Sequence, residues 1–168
     1  MDRTVEPRVL ALGWLARRPL CQAELRKRLA ARGVDRDSVE RTVADLVAER
    51  LLDDEALALD YIVLRSGRLR LGKQRLVRDL ERRGVDRDVA LRAYGRAIED
   101  GDVDPDELLR EAVASRLRRE RKLTPAAQRR VYNALLRAGF SAEGLYAELK
   151  RQSAALESAE HQDDDESP

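Results

Sequence analysis

The chain has 168 residues, 39% of them charged, 43% apolar and only 4% aromatic, which excludes two large domains and disfavours a sandwich or barrel built on aromatic and β-branched strands. One cysteine, Cys21, and one histidine, His161, exclude an internal disulfide and a Cys/His zinc cluster, so no metal or other cofactor is expected. The net charge of +1 combines a basic body with an acidic end: residues 160–168 carry five carboxylates and no Lys or Arg, leaving the other 159 residues at +6.

The longest run without polar side chains, Val9 to Ala16, is far short of the roughly 20 residues that cross a bilayer. A soluble, cytoplasmic protein without membrane contact is therefore expected. The first predicted helix covers Arg8 to Arg17 and is ended by Pro19. The next carries Leu25 and Leu29 and stops at Gly33, where a left-handed backbone conformation closes a helix without a Cβ clash. After Val34, Asp35 is a candidate N-cap for a third helix, and Val39 stands at staple spacing from Val34.

This pattern returns. Arg32-Gly33-Val34-Asp35-Arg36-Asp37 recurs unchanged as residues 83–88, 51 positions on, and Leu25 and Leu29 map onto Leu76 and Leu80 by the same shift. A weaker copy runs Ala138-Gly139-Phe140-Ser141-Ala142-Glu143, with Val131 and Leu135 in the leucine positions and Leu145 at the staple position; the second copy has Ala90 there. Each helix–turn–helix is preceded by another amphipathic segment. In the second copy this is Asp54 to Arg65, with Leu57, Tyr61 and Leu64 on one face. In the third, Asp104-Pro105-Asp106-Glu107 opens a helix through Leu108, Leu109, Ala112 and Val113, and Thr124-Pro125 opens the next in the same way.

The expected fold is therefore all-α: three tandem three-helix repeats at residues 1–52, 53–103 and 104–152, forming an elongated, curved array, followed by a disordered acidic tail at 153–168. Helices of this length depend on packing for stability.

Two segments concentrate positive charge. Residues 65–83 hold eight basic side chains against two acidic ones, and residues 116–130 hold seven against one. A solvated helix face explains such runs about as well as a polyanion site does. The candidate partner- or DNA-binding residues are Arg65, Arg68, Arg70, Lys73, Arg75, Arg78, Arg116, Arg118, Arg119, Arg121 and Lys122. No Gly-rich phosphate loop or nucleophile–base pair is apparent, so no enzymatic activity is expected. The aromatics Trp14, Tyr61, Tyr94, Tyr132, Phe140 and Tyr146 fall mostly at core spacing, which argues against base stacking. The third helix carries Arg36, Arg41 and Arg50 against Asp37, Glu40, Asp45 and Glu49, a poor match to a DNA major groove.

The words Leu15-Ala16-Arg17-Arg18-Pro19, Ala23-Glu24-Leu25-Arg26-Lys27-Arg28-Leu29, Gly33-Val34 and Leu51-Leu52-Asp53-Asp54-Glu55, followed by Tyr61, Arg65, Gly72, Leu76, Leu80 and Gly84, resemble the RecX family over residues 8–150. The resemblance implies an all-helical, elongated regulator of the RecA recombinase, and a monomer is expected. Such a regulator binds the RecA nucleoprotein filament in its groove and limits its growth or promotes disassembly, lowering ATP hydrolysis, strand exchange and co-protease activity. Weak sequence-independent contacts to single- or double-stranded DNA are part of that expectation. Two alternatives remain at this point: a tandem helix-turn-helix transcription regulator, and a helical scaffold for another protein.

Individual residues have structural readings beside functional ones. Asp53 and Asp54 are N-caps first and contacts for a basic partner second. Trp14 reads as a core anchor, and His161 as a solvated residue of the tail, which could itself mask the basic surface. Cys21 departs from the polar cap that the resemblance leads one to expect there, and no histidine near it in sequence would activate it.

Overall fold

The computed structural model describes residues 6–120 and 124–164, with side chains through 155. Among the described residues all regular secondary structure is helical, as the sequence predicts. The nine helices are α1 (Pro7–Leu15), α2 (Gln22–Ala30), α3 (Arg36–Ala48), α4 (Asp54–Leu69), α5 (Lys73–Arg83), α6 (Arg87–Glu99), α7 (Pro105–Leu117), α8 (Pro125–Arg137) and α9 (Ala142–Asp164).

The repeated glycine junction is one hydrogen-bonded turn made three times. Gly33, Gly84 and Gly139 have φ of 79°, 97° and 95°. In each turn the glycine N–H donates three residues back, and the N–H of the apolar residue after it donates five back: Val34 to Leu29, Val85 to Leu80 and Phe140 to Leu135, at 3.1–3.3 Å. Orphan carbonyls at the helix end are satisfied in this way. The following caps form as predicted: Asp35 accepts from Ser38 N–H at 2.9 Å, Asp86 from Asp88 N–H at 2.8 Å and Ser141 Oγ from Gly144 N–H at 3.3 Å. Asp104 and Thr124 cap α7 and α8.

The end of α3 makes the same turn with an arginine in the glycine position. Arg50 sits at φ 57°, with its N–H donating to Val47 and that of Leu51 to Leu46. A side chain there costs about 1 kcal/mol. Arg50→Gly is therefore expected to raise unfolding stability by up to about 1 kcal/mol, part of the gain being offset by glycine's looser unfolded chain. Urea denaturation checks this; a destabilised variant would mean that the Arg50 side chain contributes more than its backbone costs.

The helices pack as two compact units, Met1–Ile62 with Val77–Ala97, and Val63–Leu76 with Ile98–Pro168. The repeats of the sequence and the units of packing thus have different boundaries: α4 and α5 each contribute to both units. In the first unit Ala11, Leu20, Leu25, Leu29, Val39, Val43, Leu46 and Leu52 form a buried cluster, with Trp14 packed partly against it. In the second, Val113, Leu117, Val131, Leu135, Phe140, Leu145 and Leu149 form the counterpart. The mapped positions Leu25/Leu29, Leu76/Leu80 and Val131/Leu135 are all buried.

A second repeating contact lies between consecutive copies. In the first unit Gly84 sits on the start of α2, where a Cβ on the glycine would stand 2.5 Å from that of Ala23. In the second unit Gly139 sits on the start of α5 in the same manner, so close that an added Cβ would overlap the Arg75 backbone nitrogen and stand 2.5 Å from Arg75 Cβ. There the Gly72 N–H donates to the Ala138 carbonyl at 2.9 Å, and the Gln74 N–H to the Gly139 carbonyl at 3.2 Å.

Shifted back by one repeat, Gly72 becomes Cys21 and Ala138 becomes Arg83. The Cys21 thiol donates to the Arg83 carbonyl at 3.1 Å, so a side chain carries out in the first unit what a backbone N–H does in the second. Burial raises the thiol pKa, which leaves Cys21 a packing residue.

Several helices differ from the sequence reading. The buried face of α4 is Leu57, Ala58, Ile62 and Ser66, whereas Leu64 is 51% exposed, so the face is rotated by about one residue from the predicted stripe. The helix also continues past Arg65 through Gly67 to Leu69, and it stops at Arg70, φ 48°. Trp14 packs half-buried against the first core cluster, with the guanidiniums of Arg28 and Arg32 over its ring at 5.8 and 5.7 Å. The α9 helix continues from residue 153 to Asp164. Ser153 is buried and accepts from Gln128 Nε2. The remaining tail residues 165–168 and the side chain of His161 lie outside the described ones.

Candidate functional site

The junction between α3 and α4 resolves the paired aspartates. Asp53 caps its own helix, its Oδ1 accepting from Glu55 and Ala56 N–H at 2.9 Å. Asp54 reaches across to α2, where its Oδ1 accepts the Gln22 N–H at 2.9 Å. The residue at the head of α2 is a cysteine, a weaker capping group than serine or aspartate, and Asp54 satisfies the N–H of the first helical residue, Gln22. Glu24 completes the site, its carboxylate accepting the Cys21 N–H at 3.2 Å and hydrogen bonds from Arg18 and Arg83 at 3.2–3.3 Å. Arg83 also stacks over Tyr61 at 5.8 Å. This group of charges ties α2 to α4 and α5 within the first unit.

The basic run of residues 65–83 is divided by the packing. Arg65, Arg68, Arg70, Lys73 and Arg75 belong to the second unit, and Arg78, Arg82 and Arg83 to the first. Arg65, Arg68, Lys73 and Arg78 are exposed, while Arg75 is half-buried at the Gly139 contact. Arg70 pairs with Glu111 at 3.4 Å. It shares a groove with Arg118, Arg110, Glu107 and Glu111, whose mixed charges leave little net field. Arg121 and Lys122 lie outside the described residues.

The second basic segment gains neighbours that the sequence reading did not include. Arg116 of α7 and Arg119 just beyond it line a groove of about 460 Å³ with Arg130, Asn133 and Arg137 of α8. Glu120 is the acidic residue of this lining and pairs with Arg130 at 2.6 Å. Arg130 and Arg137, two turns apart on one face of α8, carried a recognisable signal in their seven-residue spacing.

On the other side of α8, Tyr132, Tyr146 and Leu149 line a groove of about 610 Å³ flanked by Arg129 and Lys150. Tyr146 is 70% exposed and so is one of the aromatics outside the core: Leu145 takes the core position and turns its neighbour outward. Among the described residues no group of three or more His, Cys, Asp or Glu could hold a metal ion, and no helix is long and apolar enough to cross a membrane.

Helices closed by glycine turns, with Gly84 seated on the start of α2 and Gly139 on the start of α5, define an all-helical repeat protein with cationic grooves on its surface. Residues 8–46 match the family model for the first three-helix domain of RecX. The chain is 34% identical over 158 residues to the regulatory protein RecX of Corynebacterium efficiens, covering 90% of this chain and 73% of that one. It is 32% identical over 145 residues to the RecX of Mycobacterium marinum, covering 83% and 80%. The crystal structure of RecX from Lactobacillus salivarius has the same fold, with a TM-score of 0.73 at 19% identity over 91% of this chain and 98% of that one. The chain belongs to the RecX family of regulatory proteins.

Proposed function

We propose that this regulator acts on the RecA recombinase, binding the RecA nucleoprotein filament in its groove and limiting its growth or stability. ATP hydrolysis, strand exchange and co-protease activity all depend on the filament and fall together. The observation that carries this reading is the RecX relationship, which extends over 90% of the chain to the Corynebacterium efficiens protein and so covers all three predicted modules. The chain works as a cytoplasmic monomer and performs no chemistry of its own; ATP turnover belongs to the partner.

Three successive modules, 1–52, 53–103 and 104–152, offer contacts whose individual weakness is offset by effective concentration once the first has formed. Exposed arginines such as Arg68 and Arg119 suit carboxylates of a filament surface or phosphates of its DNA, since a guanidinium pairs with either in a bidentate fashion. Binding accordingly weakens as salt rises.

The test is RecA ATPase on single-stranded DNA. Addition of this protein is expected to lower the rate, and reversing charge at Arg68 and Arg119 together is expected to blunt the effect at least severalfold. Both are exposed and have no ion pair among the described residues, so folding is not at issue. Arg70 and Arg75 are poorer choices, one being tied to Glu111 and the other to the Gly139 contact. A wild-type protein that leaves the ATPase unchanged overturns the proposal.

A further inference from the structure

The two grooves beside α8 differ in chemistry. On the α7 side, arginines converge with a single acidic residue among them, Glu120, which Arg130 engages. Arg119, Arg129 and Arg137 pair with no carboxylate of the described residues. On the α9 side, two tyrosines and Leu149 form an apolar floor between Arg129 and Lys150. Only the crest of α8 separates them. It bears Arg129, Asn133 and Leu136, all exposed.

We propose that the α7–α8–α9 module holds a binding site for single-stranded nucleic acid, with phosphates in the Arg119–Arg130–Arg137 groove and a base stacked on Tyr146 across α8. This deepens the reading of DNA contacts in the proposed function and rests on it. A helix is about 10 Å wide, which a strand covers in about three steps at a rise of 3.4 Å. Tyr146 is 70% exposed beside this cationic track, and aromatic platforms in such a place bind single strands irrespective of sequence.

An acidic peptide would satisfy the arginines, but its carboxylates have no use for a flat aromatic face on the far side of the helix. Duplex DNA would satisfy the arginines too, with its bases already stacked and unavailable to Tyr146. The observations therefore favour an unpaired strand over both. Glu120 contributes selectivity: it is already paired with Arg130 at 2.6 Å, so an entering phosphate must compete for that guanidinium. Weak polyanions gain less from this exchange than a phosphate chain that engages several arginines at once.

The test uses the full-length chain and fluorescence anisotropy of a labelled oligo-dT 20-mer, a duplex of equal length, and labelled poly-glutamate. Tyr146→Ala is expected to weaken oligo-dT binding about tenfold and leave the duplex within twofold, while Tyr146→Phe restores the affinity. Arg137→Gln is expected to weaken both DNA forms and lower the salt slope by about one. Tyr146→Ala binding oligo-dT as tightly as wild type overturns the inference. So does an equal loss on duplex, or a preference for poly-glutamate.

RecA ATPase separates the two levels of the argument. If the wild type inhibits RecA while Tyr146→Ala keeps full oligo-dT affinity, the site assignment fails and the regulatory proposal stands. If oligo-dT binding requires Tyr146 but RecA is unaffected, the regulatory proposal fails and the site stands.

Discussion

Gly139→Ala is expected to destabilise the protein by about 2–4 kcal/mol, against about 1 kcal/mol for Gly33→Ala, although both glycines close a helix in the same conformation. At Gly33, φ 79°, nothing lies within 4 Å of an added Cβ, so the methyl group meets only the left-handed backbone cost of about 1 kcal/mol. At Gly139 the same cost applies and the methyl also meets the Arg75 backbone and Cβ. Relief requires the start of α5 to move away. That movement breaks the bonds from Gly72 N–H to Ala138 and from Gln74 N–H to Gly139, adding an overpacking cost of about 1–3 kcal/mol. Gly84→Ala belongs between the two, because its clash is with the Ala23 side chain and not with backbone. Denaturant unfolding of the three variants checks the order. Equal losses would mean that the helix start and the glycine turn are not in direct contact.

The glycines also show what a single sequence reveals. The six-residue repeat disclosed the turns, the caps and the leucine positions because these are local: a stop signal, an N-cap and a 3.6-residue stripe act within a few residues of one another. The contact of Gly139 with α5 and that of Gly84 with α2 join residues 50 or more positions apart, and nothing in the turn itself announces a second use. Cys21 was unreadable for the same reason, since its partner is the Arg83 carbonyl. The candidate site follows a similar division. Summed charge singled out residues 65–83, but packing assigns that run to two units and commits Arg83 to Glu24 and Tyr61. The α7–α8 groove was half legible, through Arg116 and Arg119, while Arg130 and Arg137 become neighbours of these only when the two helices are packed. The α4 stripe was misplaced because Leu64 and Ile62 are equally apolar in sequence and only the neighbouring helices decide which is covered.

The two carboxylates at the head of α2 are expected to respond to acid in opposite senses. Burial raises the pKa of Glu24, but hydrogen bonds from Arg18, Arg83 and the Cys21 N–H outweigh it, and the carboxyl is held below the ordinary glutamate range. Folding therefore favours its ionised form: the stabilisation is fully present above the unfolded pKa and is lost as pH falls through the folded one. Glu24→Gln keeps an acceptor for the Cys21 N–H and removes the charge that Arg18 and Arg83 engage. It is expected to cost about 1–2 kcal/mol at pH 7, with the gap from wild type closing in acid. Asp54 is the reverse case. Burial raises its pKa, with Asp53 and Glu24 adding to the effect, and the Gln22 N–H and Arg26 do not bring it back. Its contribution is fully present below the unfolded pKa and is lost as pH rises through the folded one. Asp54→Asn keeps the oxygen that accepts from Gln22 without the charge, so the variant is expected to match or exceed wild-type stability at pH 7 and to lose that advantage at pH 3. Urea midpoints for the wild type and both variants between pH 3 and pH 7 measure the two slopes. Parallel curves for the two variants would mean that Asp54 serves α2 as an ordinary ionised cap, and that the borrowed carboxylate carries no burial penalty.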